Sequence, residues 1–290
     1  MKLDRQRFEL IIVSTIPLLI GAGLSALIIT SESLGDMISR NTQPYSFADI
    51  AIQAIVSTGL GVLVVLSLFY TIQRRGPQAK RAIIAFVVSP ILTVSFFILG
   101  QTLLLIIIRG ATETIWPSIL SLATLGILLM SFAFIMMDSV PSYLRNFFVA
   151  FYGSVFGTFL GIIFFTTSMF VLVLSVVAED YFLTRFSPVA ESAHLVDTPG
   201  SDPFDFTRIQ SKTTAIGAGD YISFSLISAH SLLFFPLHVW IMSMLLAIVG
   251  ITINMTVIVR ENEILPGIPL PAILAIFPWI VHLISLPLLV

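Results

Sequence analysis

The chain has 290 residues, of which 57% are hydrophobic and only 10% are charged, and its mean hydropathy is +1.03. Soluble domains carry about 25% charged residues, so this chain has too few to cover a water-facing surface, and its apolar content excludes disorder. The net charge of −2 is too small to indicate nucleic-acid binding. The absence of cysteine excludes disulfides, zinc–thiolate sites, iron–sulfur clusters and thiol nucleophiles.

Long apolar runs separated by short polar segments indicate an all-α polytopic membrane protein. The strict alternation of apolar and polar residues that is typical of outer-membrane barrels is not seen. Because a spanning helix needs about 20 predominantly apolar residues, the sequence predicts nine spans. They lie at roughly 10–30, 48–72, 82–108, 115–137, 147–163, 166–185, 214–234, 237–259 and 267–289. The run from Asn146 to Phe186 is too long for one helix, and a hairpin turning near Phe165 is predicted there.

The distribution of basic residues tests this topology. With the N-terminus in the cytoplasm and nine alternating spans, 12 of the 14 basic residues fall on the cytoplasmic side, and only Arg40 and Arg109 fall outside. The cytoplasmic residues are Lys2, Arg5, Arg7, Arg74, Arg75, Lys80, Arg81, Arg145, Arg185, Arg208, Lys212 and Arg260. Cytoplasmic loops of membrane proteins carry such an excess. The sequence therefore predicts a cytoplasmic N-terminus, an extracytoplasmic C-terminus and lipid contacts along the spans.

One hydrophilic segment stands out, from Ser187 to Thr213, between the sixth and seventh spans. Its proline, glycine and acidic residues predict a mobile cytoplasmic loop rather than a domain. The chain then divides into a scaffold of four spans at 1–145 and a second half at 146–290, which holds the loop and spans five to nine.

Two aspartates lie where charge is costly. An ionisable residue inside a span costs at least about 2.5–3.5 kcal/mol on insertion scales, and such residues are commonly functional. Asp180 is predicted about 7–8 Å below the cytoplasmic end of the sixth span, and Asp220 about 9 Å below that of the seventh. Glu179 is about 100° away from Asp180 around the helix and is expected to point elsewhere. The two aspartates therefore lie at nearly the same level on antiparallel neighbours.

Two close carboxyls do not both ionise cheaply, so one stays protonated while the other is charged. The charged group can then take a proton from water while the neutral group hydrogen-bonds a peptide carbonyl, as in aspartic proteases. A proton or cation site in a transporter or channel, and simple hydrogen bonding between helices, are the alternatives that these two residues leave open.

Sequences beside the aspartates narrow the choice. Gly217-Ala218-Gly219-Asp220 is a Gly-x-Gly-Asp sequence at a helix start, and Pro269-Leu270-Pro271-Ala272-Ile273 opens the ninth span. Together with an aspartate at the cytosolic end of the preceding span, these features resemble the presenilin and signal-peptide-peptidase family, especially its archaeal presenilin-like members. Two departures are plain: Glu179 stands where the family usually has Tyr, and the Pro-Ala-Leu element reads Pro-Ala-Ile, with Pro269-Leu270-Pro271 as a rival register.

The resemblance implies an intramembrane aspartyl protease of a prokaryotic, archaeal cell membrane that cleaves single-span membrane proteins. Asp180 and Asp220 are then the catalytic pair, and no cofactor or metal is implied. The resemblance also implies that two segments contact substrate, Gly217, Ala218 and Gly219 beside the pair, and Pro269, Leu270, Pro271, Ala272 and Ile273 opposite it. Taken alone, Gly-x-Gly-Asp is also an ordinary glycine turn whose acid favours a helix N-terminus.

Other features receive structural interpretations. No His-Glu-x-x-His zinc sequence occurs, and His230 is expected either to hydrogen-bond between helices or to lie at the outer end of its span. Trp116, Trp240 and Trp279 are expected in the aromatic belts at the membrane boundaries. Because an unwound substrate exposes backbone groups that are costly in lipid, a protein strand pairing with it is expected, and His194-Leu195-Val196 and Phe204–Gln210 are the candidates.

Overall fold

The structure of the chain, a computed structural model, describes residues 5–29, 47–108, 114–186, 203–210, 215–258 and 266–285. These residues contain eight α-helices: α1 (Arg5–Ile29), α2 (Phe47–Ile107), α3 (Trp116–Met137), α4 (Ser142–Ile163), α5 (Thr166–Phe186), α6 (Ala218–Phe234), α7 (Leu237–Ile253) and α8 (Pro269–Ser285). A 3-10 helix (Pro203–Thr207) leads into strand β1 (Arg208–Gln210), which pairs antiparallel with β2 (Ala215–Gly217). A π-helical turn (Asn254–Ile258) continues α7.

The prediction of an all-α membrane protein is confirmed. Among the described residues, five helical stretches are long and apolar enough to cross a membrane. They are Arg7–Ile29, Ala79–Ile107, Trp116–Met137, Ser142–Ile163 and Leu237–Ile258. The break between α4 and α5 falls at Phe164 and Phe165, where the sequence predicted a hairpin.

Helix α2 differs from the sequence prediction, which placed a loop between spans at 48–72 and 82–108. The structure has one uninterrupted helix there. Its two halves nevertheless pack against different neighbours, since Gln53 accepts a hydrogen bond from Ser168 of α5, whereas Ser95 donates to the Tyr152 carbonyl of α4. The intervening polar tract contains Arg, Gln, Ala and Lys, which are good helix formers, but also Gly76-Pro77, which disfavour a helix interior. The sequence therefore favours a break where the structure has a continuous helix.

Helix α6 lies at the centre of the bundle, between α1, α4 and α7. Its approach to α4 depends on three glycines spaced four residues apart on one face of that helix. A Cβ atom at Gly157 would collide with the Ile222 carbonyl and Ser225 of α6, and one at Gly153 would lie 2.8 Å from the Tyr221 Cβ. Gly161 faces α6 in the same way. Small residues are what allow membrane helices to pack backbone to backbone, so this stripe fixes the position of the helix that begins beside Asp220.

A β-hairpin connects the end of the hydrophilic segment to α6. Its register pairs Arg208 with Gly217 and Gln210 with Ala215. The seventh span was predicted to be helical from residue 214, and this start is wrong, since 215–217 is a strand and α6 begins at Ala218. The isoleucine of β2, Ile216, is buried against Leu10 and Tyr221, and this burial favours an extended segment there over another helical turn. Residues 187–202, including His194-Leu195-Val196, lie outside the described residues.

The far end of α6 carries a buried aromatic cluster. His230 is fully buried, and its ring nitrogens bond the Gly161 carbonyl at 2.7 Å and the Thr166 hydroxyl at 3.1 Å. This agrees with the expected role of His230 between helices. The assignment of Trp279 to a membrane-boundary belt is wrong, because its side chain is fully buried and donates to the Ser231 hydroxyl at 2.9 Å.

Candidate active site

Asp180 lies near the C-terminal end of α5, with its side chain turned toward the segment that precedes α8. One carboxylate oxygen accepts the Ile268 backbone N–H at 3.0 Å. The other oxygen lies 3.4 Å from the Thr184 hydroxyl, one turn later on the same helix. The carboxylate also interacts with the Gly267 backbone. Asp180 therefore joins α5 to the α8 segment.

Asp220 is the third residue of α6, and its side chain closes back on the helix start. Its Oδ2 accepts the Gly217 backbone N–H at 3.2 Å, as an acidic residue at the third helical position does in a capping box. The first-turn N–H groups of a helix have no partner within the helix, so an acid here is also favourable electrostatically. Because the helix begins at Ala218, Asp220 lies in the first turn of α6, whereas the sequence predicted it six residues inside the helix.

The two aspartates come together at Gly267. A Cβ atom at Gly267 would lie 2.7 Å and 3.0 Å from the two carboxylate oxygens of Asp220, so the Asp220 carboxylate rests directly on the Gly267 backbone. Asp180 binds the next residue, Ile268. The carboxylates of Asp180 and Asp220 are also close enough to interact electrostatically. Two acids from different helices thus meet at one pair of backbone residues.

Asn254 holds this pair of residues from the opposite direction. It lies at the end of α7, is buried, and donates through its side-chain nitrogen to the Gly267 carbonyl at 3.0 Å. The N–H of Ile268 and the C=O of Gly267 are therefore both fixed by side chains. Sequence reasoning missed Gly267, Ile268 and Asn254; the glycine beside Pro266 was the available signal, since a glycine between prolines marks a turn with close backbone approach.

The predicted substrate-contacting residues fall into two groups in the structure. Gly217 and Gly219 flank the Asp220 turn, and Ala218 is buried beneath it. In the second group, Pro271 and Ala272 are buried, and a Cβ atom at Gly250 of α7 would lie 2.6 Å from the Pro271 Cα. These two therefore pack against α7. Ile273 is 48% exposed and lies on the outward side of α8, while Pro269 and Leu270, which follow Ile268 directly, are partly buried.

Glu179 points away from the aspartate pair, as expected from its helical position. Its carboxylate lies against Gly61 of α2, where an added Cβ atom would collide with it. Glu179 and Asp180 are adjacent in the chain but face different helices, so Glu179 is a natural comparison residue for tests of the pair.

The chain matches no protein-family model and no curated protein. Any functional assignment therefore depends on the geometry of the aspartates and their surroundings.

An apolar cavity of about 60 Å³ opens beside the aspartates, between α4, α5 and α6. Val176 and Ile222 line it, one helical turn or less from Asp180 and Asp220 respectively, and Ile268 forms another part of its wall. The remaining lining residues are Leu160, Leu172, Val173, Ser223 and Leu226. The carboxylates therefore have an apolar hollow next to them, of a kind that aliphatic side chains fill.

No three His, Cys, Asp or Glu side chains within the described ranges are gathered as a metal site. The site contains two acids with different partners. Asp180 accepts the Ile268 N–H from another segment, and Asp220 caps its own helix. Two such acids can act as general base and general acid on a backbone carbonyl.

Proposed function

We propose that the chain is an intramembrane aspartyl protease of the presenilin type that cleaves single-span membrane proteins. The observation that carries the proposal is the meeting of Asp180 and Asp220 at Gly267 and Ile268. Interhelical bonding alone would need only one acid at this place. A second acid at the same pair of backbone residues is costly unless the two share a proton.

The proposed reaction uses water and needs no covalent intermediate. The charged carboxylate takes a proton from water while the water oxygen bonds to the carbonyl carbon of the substrate. The protonated carboxyl gives its proton to the carbonyl oxygen. As the tetrahedral diol collapses, the carboxyl that took up the water proton gives it to the amine nitrogen, the C–N bond breaks, and one diol hydroxyl returns its proton to the other carboxylate. The products are a carboxylic acid and an amine, which then ionise to a carboxylate and an ammonium group, and the pair again holds one proton.

The proposed topology has nine spans, with the N-terminus in the cytoplasm and the aspartates near that side of an archaeal cell membrane. One observation supports this orientation. The distribution of charge assigns Arg81, Arg145 and Arg208 to the cytoplasm, and these residues meet at one end of the bundle. In this topology the two halves of α2 are separate spans, which requires the continuous helix to bend sharply at the polar tract containing Gly76-Pro77.

The β-hairpin supports the proposed handling of substrate. A substrate must unwind before its carbonyl is attacked, and its freed backbone groups need partners in lipid. Part of the predicted pairing segment is a strand, Arg208–Gln210, and its partner strand runs directly into the Asp220 turn. A strand added to this hairpin would therefore lie beside the pair.

A reporter assay tests the proposal. The purified protein is placed in lipid vesicles with a single-span reporter, and the products are mapped by mass spectrometry. We expect cleavage inside the apolar segment, near its cytoplasmic end. An intact reporter, together with a proton or cation flux through the same vesicles, would instead establish the transporter or channel alternative, which uses Asp180 and Asp220 as its ion site.

A further inference from the structure

A network of charges whose centre, Asp205 and Arg145, is buried lies beside the hairpin and outside the proposed catalytic pair. Asp205 is only 2% exposed and pairs with Arg208 at 2.7 Å and with Arg145 of α4 at 3.6 Å. Arg145 also approaches Asp138 at 3.5 Å, and Asp138 pairs with Arg81 of α2 at 3.2 Å. Three cations and two anions thus connect α2 and α4 to the segment that begins the hairpin.

Uncharged contacts strengthen the same attachment. The Tyr152 hydroxyl of α4 donates to the Phe206 carbonyl at 2.8 Å, and the Arg145 guanidinium lies 5.4 Å from the centre of the Phe206 ring. Phe206 itself is 2% exposed. The residues just before β1 are therefore fixed to α4 by charge, by a hydrogen bond and by packing.

The attachment leads to Asp220 by a short route. Arg208 is the residue paired with Gly217 across the hairpin, and Gly217 donates its N–H to the Asp220 carboxylate. A displacement of Arg208 would therefore shift the donor that orients Asp220. Asp205 and Arg145 are 2% and 6% exposed, and Arg208 is 18% exposed. A buried charge is retained only where its partners are in place, so this part of the route has little freedom.

We propose that Arg208, Asp205 and Arg145 are positioning residues for Asp220. These residues anchor β1 to α4 through ion pairs, and β1 pairs with β2. Strand β2 in turn positions the Gly217 N–H that orients the Asp220 carboxylate. The effect of these three residues on catalysis rests on the proposed protease function. Their effect on the position of the Gly217 N–H can be measured without any substrate.

The test uses Arg208→Met in the full chain, which removes the charge and keeps the length of the side chain. Arg75→Met is the matched control, because Arg75 is an exposed cation of α2. Hydrogen–deuterium exchange is followed at the Gly217 amide without substrate. We expect exchange there to rise by about tenfold or more in Arg208→Met, as local opening becomes easier, while residues 222–230 and the Arg75→Met protein stay unchanged.

Reporter cleavage gives the second readout. A misplaced catalytic group costs on the order of 10² in rate, so we expect kcat to fall by tenfold to a hundredfold in Arg208→Met while KM stays the same. Arg208→Lys, which keeps the charge, should recover most of this loss. If Arg208→Met does not fold, Arg208→Gln keeps a donor without the charge and serves the same comparison.

The outcomes separate the two proposals. Unchanged exchange at Gly217 in Arg208→Met or Arg208→Gln would overturn the positioning role, whatever the reporter shows. Faster exchange in a protein whose unsubstituted form cleaves no reporter would uphold the placement of Asp220 and overturn the protease function. A fall in kcat shared equally by Arg75→Met would also overturn the positioning role.

Discussion

Replacing Asp180 or Asp220 with Asn is expected to abolish reporter cleavage while the protein stays folded. Asn keeps the size of the side chain and an oxygen that accepts the Ile268 or Gly217 N–H, so the contacts of each residue survive. What is lost is the ability of the carboxyl group to take up and release a proton. Residues that act as one catalytic unit cost about 10⁴-fold or more when one is removed, and each single substitution should therefore lose about as much as both together.

Glu179→Gln is the matched control for these substitutions. It removes an acidic group next to Asp180 in the chain, but its carboxylate faces Gly61 of α2. We expect cleavage by Glu179→Gln within a few-fold of the unsubstituted protein, on the scale of a residue outside the reacting groups. Cleavage that survives Asp180→Asn or Asp220→Asn would exclude the proposed pair. A loss confined to Glu179→Gln would instead identify Glu179 as the catalytic acid.

Gly267→Ala is expected to remove most of the activity with little change in stability. The added Cβ atom would lie 2.7 Å from one carboxylate oxygen of Asp220, which is too close for any real contact. The Asp220 side chain can turn aside at small cost, and it would then leave the position in which it faces Asp180. A displacement of about 1 Å in a reacting group costs roughly 10²-fold in rate.

The comparison for this substitution is Gly126→Ala in α3, where an added Cβ atom meets nothing within 4 Å. Both variants replace glycine with alanine, so any difference in their activity reports the contact with Asp220. We expect kcat to fall in Gly267→Ala alone and the thermal midpoints of both to stay near that of the unsubstituted protein. Full activity in Gly267→Ala would show that Asp220 does not react from this position.

The sequence was enough to locate most of the helices and the two aspartates, although not the continuity of α2 or the start of α6. The hairpin at Phe165 and the ends of α3, α4 and α5 follow from long apolar runs interrupted by polar or aromatic breaks. The aspartates stand out because a charge within an apolar run is costly. Their approach also follows, since antiparallel neighbours place residues of equal depth at one level.

The partners of the aspartates could not be found in this way. Gly267, Ile268 and Asn254 act through backbone groups and one amide, and they belong to the short segments around the end of α7 and the start of α8. Apolar patterning carries no information about which backbone N–H meets which side chain. The start of α6 was misplaced for the same reason, because β2 is formed by pairing with β1 and by burial of Ile216.

The ionic network and Trp279 show a second limit. Arg81, Arg145 and Arg208 were each assigned to topology, and the structure shows that they also meet Asp138 and Asp205 in one cluster whose centre is buried. Trp279 was assigned to the membrane boundary, although α5, α6 and α8 enclose it. Neither the ionic cluster nor the burial of Trp279 could be predicted from residues taken singly, because burial of a charge or a ring depends on the partners that the fold supplies.

The central claim is that Asp180 and Asp220 form one site, and the binding of a hydroxyethylene peptide isostere tests it most directly. Such a compound mimics the tetrahedral diol and binds far more tightly than substrate where two carboxyls flank it. A ligand at about 100 times its Kd stabilises the folded state by about 2.7 kcal/mol. We expect this thermal stabilisation in the unsubstituted protein and in Glu179→Gln, and its loss in both Asp180→Asn and Asp220→Asn. No stabilisation of the unsubstituted protein, or equal stabilisation of all four, would contradict the claim.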